Sequence, residues 1–354
     1  MHAILTDITK SHNHMKNKPS QNDYNHASPS KIRAWFLAAR PKTLTGAAAP
    51  VLVGMAMAWH VRFAPVWEQS SLLLRHPLSD AYTRSQLLLF LIPATLCLLF
   101  ALVMQIDANF INDYFDCKKG TDGDDRLGPP RACAQGWLQP REMVAGIILT
   151  TLLASAIGVL ILLWALQYEL IAVGLLCILF SFLYTTHLSY RGLGDLLVLL
   201  FFGIVPVGFT YYVISIGEWA PLLTVAGLGM GLATDTLLMV NNYRDRNQDA
   251  MSGKKTVVVY VANRFGKRDG ARIARGIYMW LGIAAAVLAV AVVVLLKGHF
   301  AYLMLLYLLL HMHTYTRMCK CEGRELNSVL GATARNIFLY GLLLSFCIVS
   351  SLSV

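Results

Sequence analysis

Charge is what this sequence has least of. Of its 354 residues only 14% are Asp, Glu, Lys or Arg, against 56% hydrophobic, and the mean hydropathy is +0.54. Soluble globular domains carry about 25% charged residues. A water-soluble fold is therefore excluded, and the length counts membrane-spanning helices instead of globular domains. Acidic residues are the scarcer sign, 20 against 30 basic. The resulting charge of +10 does not point to nucleic acid, because the basic residues lie between apolar runs, where membrane topology accounts for them. Cysteine pairing is also missing. Seven scattered cysteines give neither a disulfide framework nor a zinc signature, and Cys319-Lys320-Cys321 is too tightly spaced for a metal knuckle. The first 30 residues lack an apolar core before a small-residue cleavage site, so they do not read as a signal peptide. Rich in His, Asn, Ser and Lys, they read as a disordered polar tail ahead of a membrane domain over 31–354.

Long apolar runs are what the chain does have. They predict spans near 44–61, 87–111, 143–166, 169–187, 195–217, 220–241, 275–296, 299–316 and 333–353. That is about nine helices of bilayer length, an all-α polytopic membrane protein. Before the first span, 32–40 is amphipathic, with Trp35 and Phe36 suited to a membrane interface. The polar connectors alternate in charge. One set carries Lys31, Arg40, Lys42, Lys118, Lys119, Arg126, Arg131, Arg191, Arg244, Lys254, Lys255, Arg317, Lys320 and Arg324; the other has few cations, among them Arg62 and Lys297. The positive-inside rule then predicts a cytoplasmic N-terminus and an outside C-terminus.

Two stretches break the apolar pattern. Asn109-Phe-Ile-Asn112-Asp113-Tyr-Phe-Asp116-Cys-Lys-Lys119-Gly120-Thr-Asp122 closes the second run, and Asn241-Asn242-Tyr-Arg244-Asp245-Arg246-Asn-Gln-Asp249 closes the sixth. A carboxylate near the middle of a bilayer costs about 3 kcal/mol on insertion scales, so such clusters are read as functional. Within each, the acids and amides recur three or four residues apart and share one helix face. Both fall on the basic side of the membrane, so they can face each other across one mouth of the bundle. Hard oxygen ligands of this kind suit Mg²⁺, which prefers to bridge carboxylate to a substrate phosphate. Lys119, Arg126 and Arg131 accompany the first cluster, and Arg244, Lys254 and Lys255 the second. Acids with cations around them fit a diphosphate bound through Mg²⁺. Two other classes use membrane acids: CDP-alcohol phosphotransferases, whose acids form one continuous motif, and cation transporters, whose acids lie at the midplane. The split, helix-end placement here argues against both.

At these residues the chain resembles the UbiA superfamily of intramembrane prenyltransferases. Ala39-Arg40-Pro41-Lys42-Thr43-Leu44, the first acidic cluster, Tyr190-Arg191-Gly192-Leu193-Gly194-Asp195, the second cluster with Gly253-Lys254, and Leu326-Asn327 are similar to the branch acting on 1,4-dihydroxy-2-naphthoate in menaquinone synthesis. Where the family has a Tyr-Thr-Gly-Pro-Pro-like stretch, this chain departs from it with Tyr184-Thr185-Thr186-His187-Leu188. The resemblance implies nine helices around a central cavity in the plasma (inner) membrane. It implies transfer of a polyprenyl group from its diphosphate to 1,4-dihydroxy-2-naphthoate with loss of CO₂; 4-hydroxybenzoate is the alternative acceptor. Membrane lipid is the surroundings, and no nucleic acid is expected. By this reading Asp116 and Asp122 hold one Mg²⁺ and Asp245 and Asp249 a second, assisted by Asn112, Asp113 and Asn242. Lys119, Arg131, Arg191, Arg244 and Lys254 take diphosphate oxygens. Tyr184, with Tyr211 and Tyr212 as further candidates, stabilises an allylic cation. Arg40 and Lys42 take the acceptor's carboxylate.

Overall fold

The computed structural model describes residues 29–63, 80–120, 126–217 and 219–352. Most of the expected tail, the middle of the 62–86 connector and Asp122 lie outside the described residues. Among the described residues there are helices and no strands. We number the α-helices α1 Lys31–Ala39, α2 Pro41–Ala58, α3 Asp80–Lys119, α4 Pro140–Ala165, α5 Glu169–Leu183, α6 Gly194–Leu199, α7 Val205–Ser215, α8 Pro221–Met251, α9 Val257–Phe265, α10 Lys267–Leu295, α11 Met304–Met318 and α12 Leu326–Val349.

Eight helical stretches among the described residues are long and apolar enough to cross a membrane. They match eight of the nine expected spans. The ninth, expected at 299–316, is α11, only 15 residues long and led by a 3₁₀ turn at Ala301–Leu303. The outer surface is a belt of exposed Leu, Ile and Val, densest on α4 and α5, which a soluble protein would not expose on this scale. This is an integral membrane protein.

Small residues set how closely the helices cross. A Cβ on Gly54 of α2 would fall 2.5 Å from the Val207 carbonyl oxygen of α7. A Cβ on Gly231 of α8 would fall 2.9 Å from the Leu199 Cα, where a π-helical turn, Leu200–Ile204, joins α6 to α7. Gly227 and Gly231 have the small-x3-small spacing that lets backbones approach in lipid. Around this crossing α8 packs on α10 and α12, α2 on α12 and α7, and α3 on α4. The main apolar core is formed by buried residues of α2, α7, α8, α10, α11 and α12, including Met57, Tyr211, Met230 and Tyr340.

Both α3 and α8 run past their apolar stretches. The first continues through Asp116 to Lys119, and the second through Asp249 to Met251. The polar clusters therefore ride on the last turns of two long helices. Arg40 supports the same end from α2: it adopts a left-handed conformation (φ 49°), and Pro41 at the first helical position restarts the helix behind it.

Candidate active site

One cavity of about 1480 Å³ lies inside the bundle. Its inner wall is apolar, with Phe100, Val173, Phe180, Phe201 and Phe209 among the lining residues. Its mouth is polar, lined by Asn112, Asp116, Arg126, Arg131, Asn242, Asp245, Asp249 and Lys254. α3 supplies the first acids and α8 the second, and the loop 126–139 closes over them.

Asp113 builds that loop. Its Oδ1 accepts from the Cys133 N–H and its Oδ2 from the Ala132 N–H, each at 3.1 Å. This fixes the next residue back, Arg131, whose Nη2 reaches the Asp116 Oδ2 at 3.0 Å. Asn327 of α12 pins the loop from the other side by donating to the Leu127 carbonyl at 2.8 Å. Both Asp113 oxygens are thus engaged by backbone, while Asp116 faces the cavity.

On α8 the Arg244 guanidinium is buried and fully engaged. It grips Asp245 in bidentate fashion, Nε–Oδ1 2.7 Å and Nη2–Oδ2 2.6 Å, and donates to Asn327 and Asn241 at 2.8 Å each. Asp249 pairs with Lys254 at 3.3 Å. Lys254 joins the two clusters. Burial works against its charge, but Asp249, Asp116 and Tyr190 outweigh it and hold its pKa above the ordinary lysine value. Arg126 sits in the same field: burial lowers its pKa against the opposing pull of Asp116 and Asp245. The two acidic helix ends predicted to face each other are therefore brought together.

Not every candidate reaches the wall. Lys119 caps the Thr185 and Thr186 carbonyls at 3.3 Å and lies 4.1 Å from the Tyr190 ring centroid. Arg191 is exposed and is not among the lining residues. Tyr184 lines the cavity, but Tyr211 and Tyr212 do not; Tyr211 is buried in the core and Tyr212 packs on Phe209. The aromatic wall is formed instead by phenylalanines, including the Phe180–Phe201 pair at 5.0 Å. Asn112 accepts from the Thr185 hydroxyl. Arg40 and Lys42 both line the cavity, and the Arg40 Nη2 is buried with no hydrogen-bond partner. Sequence reasoning left Tyr190 out of the site, although Lys119 and Lys254 gather over its ring. Its place beside Arg191 in a basic-side loop was the available signal.

Among the described residues no three His, Cys, Asp or Glu side chains gather into a metal cluster. Mg²⁺ rarely uses an all-protein cage; it takes one or two carboxylates, waters and substrate phosphates. The hard oxygens at this mouth fit a magnesium ion that arrives with a phosphate-bearing ligand.

The fold and site define a membrane-embedded helical bundle with a mouth of paired acids and cations above an apolar cavity. A family model described as the UbiA prenyltransferase family matches residues 47–342, and the chain belongs to that family. It is similar to the 1,4-dihydroxy-2-naphthoate octaprenyltransferase of Haemophilus influenzae, 32% identical over 65% of this chain and 69% of that one. It also resembles the enzyme of the same name from Escherichia coli, 31% identical over 72% and 77%. Among solved structures, a UbiA homolog from Archaeoglobus fulgidus bound to DMAPP and Mg²⁺ shares the fold: TM-score 0.54, 15% identity, 89% of this chain and 99% of that one. The protein is a prenyltransferase.

Proposed function

We propose that this protein transfers a polyprenyl group from polyprenyl diphosphate to 1,4-dihydroxy-2-naphthoate, with loss of diphosphate and CO₂. The observation that carries the reading is the meeting of two acidic helix ends around Lys254, at the mouth of one apolar cavity. The names of the Haemophilus and Escherichia relatives support the choice of acceptor.

Asn112 and Asp116 from α3, and Asn242, Asp245 and Asp249 from α8, would hold Mg²⁺, and the sequence motif offers Asp122 as a further ligand. When bound, the metal neutralises the diphosphate as it departs. Lys254, Arg131 and Arg126 hold diphosphate oxygens from the other side. Lys119 adds positive charge at the mouth, Arg244 braces Asp245, and Arg191 stands further out. The prenyl chain lies along the phenylalanine wall. α5 leans on α3 and α4, and the chain's far end leaves toward lipid between α5 and α6–α7, past Phe180 and Phe201. The dry wall protects the allylic cation from water, and the Tyr184 ring offers it a π face. The unpartnered Arg40 Nη2, with Lys42, suits the acceptor's carboxylate. The basic mouth faces the cytoplasm of the cell that makes the protein, at its plasma membrane.

The test incubates purified protein with a polyprenyl diphosphate, Mg²⁺ and either 1,4-dihydroxy-2-naphthoate or 4-hydroxybenzoate, with EDTA as control. Prenylated product with CO₂ release from the naphthoate alone is expected. Product from hydroxybenzoate alone overturns the acceptor; product undiminished in EDTA overturns the metal.

A further inference from the structure

The corner where α1 meets α2 carries a chain of hydrogen bonds that ends at the cavity. Asn109 of α3 is 2% exposed. Its amide nitrogen donates to the Ala39 carbonyl at 2.9 Å and to Thr43 Oγ1 at 3.0 Å. Thr43 gives its own hydroxyl hydrogen to the Arg40 carbonyl at 2.9 Å. Gln105, one helical turn further into the span, closes the chain: its Nε2 donates to Thr43 Oγ1 and Asn109 Oδ1, at 3.4 Å each. Arg40, Thr43, Gln105 and Asn109 all line the cavity. The two ends fix the direction of this chain. Backbone carbonyls only accept, so Asn109 must turn its NH₂ toward Ala39 and Thr43 its hydrogen toward Arg40. Both then meet Gln105 with acceptor oxygens. Gln105 must offer them its NH₂, and its Oε1 is turned away from the pair. Among the described residues nothing donates to that oxygen. At 1.5 Å per residue, Gln105 lies about 10 Å inward of Asn112 along α3. Beyond it on the same helix the lining is apolar, with Met104, Ala101 and Phe100. Gln105 therefore marks the level where the polar mouth gives way to the apolar wall, which is where a reacting ring would lie beneath a diphosphate.

We propose that Gln105 is a specificity-determining residue for the acceptor. Its Oε1 receives the hydrogen of a ring hydroxyl, and Asn109 and Thr43 are positioning residues that hold the amide in that sense. The inference rests on the aromatic-acceptor reading above and deepens it. A diphosphate presents only acceptor oxygens, and a prenyl chain has no polar hydrogen, so neither satisfies this oxygen. A phenolic hydroxyl does. The acceptor's carboxylate needs the opposite kind of group, and the Arg40 Nη2, buried without a hydrogen-bond partner, is a donor on the same corner. One corner thus reads two groups of the acceptor, the carboxylate through a cation and the hydroxyl through a neutral oxygen. A ring that lacks the hydroxyl leaves the Gln105 oxygen unpaired and is rejected on that ground.

The test assays purified wild type, Gln105→Leu and Thr43→Val with Mg²⁺, varying 1,4-dihydroxy-2-naphthoate and polyprenyl diphosphate separately. 1-Hydroxy-2-naphthoate and 4-hydroxy-2-naphthoate, each lacking one of the two hydroxyls, are titrated as competitors of the acceptor. In wild type one of them should bind about tenfold more weakly than the dihydroxy compound, the scale of one hydrogen bond. Gln105→Leu should raise the acceptor KM about tenfold, leave the prenyl diphosphate KM unchanged and abolish that gap. Thr43→Val keeps the shape but removes one of the two acceptors that orient the amide, so it should narrow the gap without closing it. A merely structural role would weaken all three naphthoates alike and preserve the gap. A gap of unchanged size in Gln105→Leu, or a changed KM for prenyl diphosphate alone, overturns the inference. So does the absence of any gap in wild type, which needs no variant to fold. In each of these cases wild-type turnover leaves the function standing. Absence of wild-type product with every phenolic acceptor removes both.

Discussion

Neighbouring acids on one helix end have separate duties. Asp113 accepts two backbone N–H groups and shapes the 126–139 loop; Asp116, less than a turn away, faces the cavity with Arg131 beside it. Asp116→Asn and Asp249→Asn each keep size and packing but lose the charge a metal–diphosphate complex needs. Both are expected to lower turnover by 10²-fold or more, roughly the scale of losing one main electrostatic stabiliser. Their thermal unfolding in detergent should match wild type; a stable, active Asp249→Asn protein would remove Asp249 from the site. Asp113→Ala should behave oppositely. It orphans two buried N–H groups, at about 1–3 kcal/mol each, so it should lower Tm and expose the 126–139 loop to protease. Asp113→Asn, which retains one acceptor, should fall between.

At the scale of elements, spacing in the sequence revealed the acids but not how far their helices run. The apolar runs stop at residues 111 and 241, because hydropathy falls where the polar clusters begin. Backbone hydrogen bonding does not stop there, and α3 and α8 carry Asp116 and Asp249 on their last turns. Arg244 shows the other gap. Its sequence neighbours suggested a phosphate ligand, but its partner Asn327 lies on α12, 83 residues away, and no local pattern records that. Glycine crossings were equally silent, since Gly203 and Gly276 look alike in sequence. A Cβ on Gly203 would strike the Gly227 carbonyl oxygen, whereas Gly276 has open space within 4 Å. Gly203→Ala should therefore cost about 1–3 kcal/mol through forced backbone shifts. Gly276→Ala, in α10, should be neutral or stabilise by up to about 1 kcal/mol through helix propensity. Thermal unfolding of the two purified variants in the same detergent checks the contrast, and equal Tm values would contradict the close crossing.

For the whole molecule, the open quantity is the number of crossings, and it turns on α11. Eight spans alone would leave both chain ends on one side. The 15 residues of α11 rise about 22 Å, and the 3₁₀ turn before them adds about 6 Å. Together they come to about 28 Å, close to the roughly 30 Å hydrocarbon core. Charge argues the same way. The connector before α11 holds Lys297, whereas the last turn of α11 holds Arg317 and the connector after it Lys320 and Arg324, the asymmetry expected across a bilayer. A crossing α11 makes nine spans and puts the termini on opposite faces. Cys319, exposed at the basic end of α11, is a ready probe. In a variant keeping it as the sole cysteine, a membrane-impermeant maleimide should label inside-out vesicles and not intact cells. With Cys319 also replaced and Lys297→Cys introduced, labelling should reverse, appearing in intact cells alone. Labelling of both positions from the same side would mean that α11 does not cross, and that the two chain ends share a face.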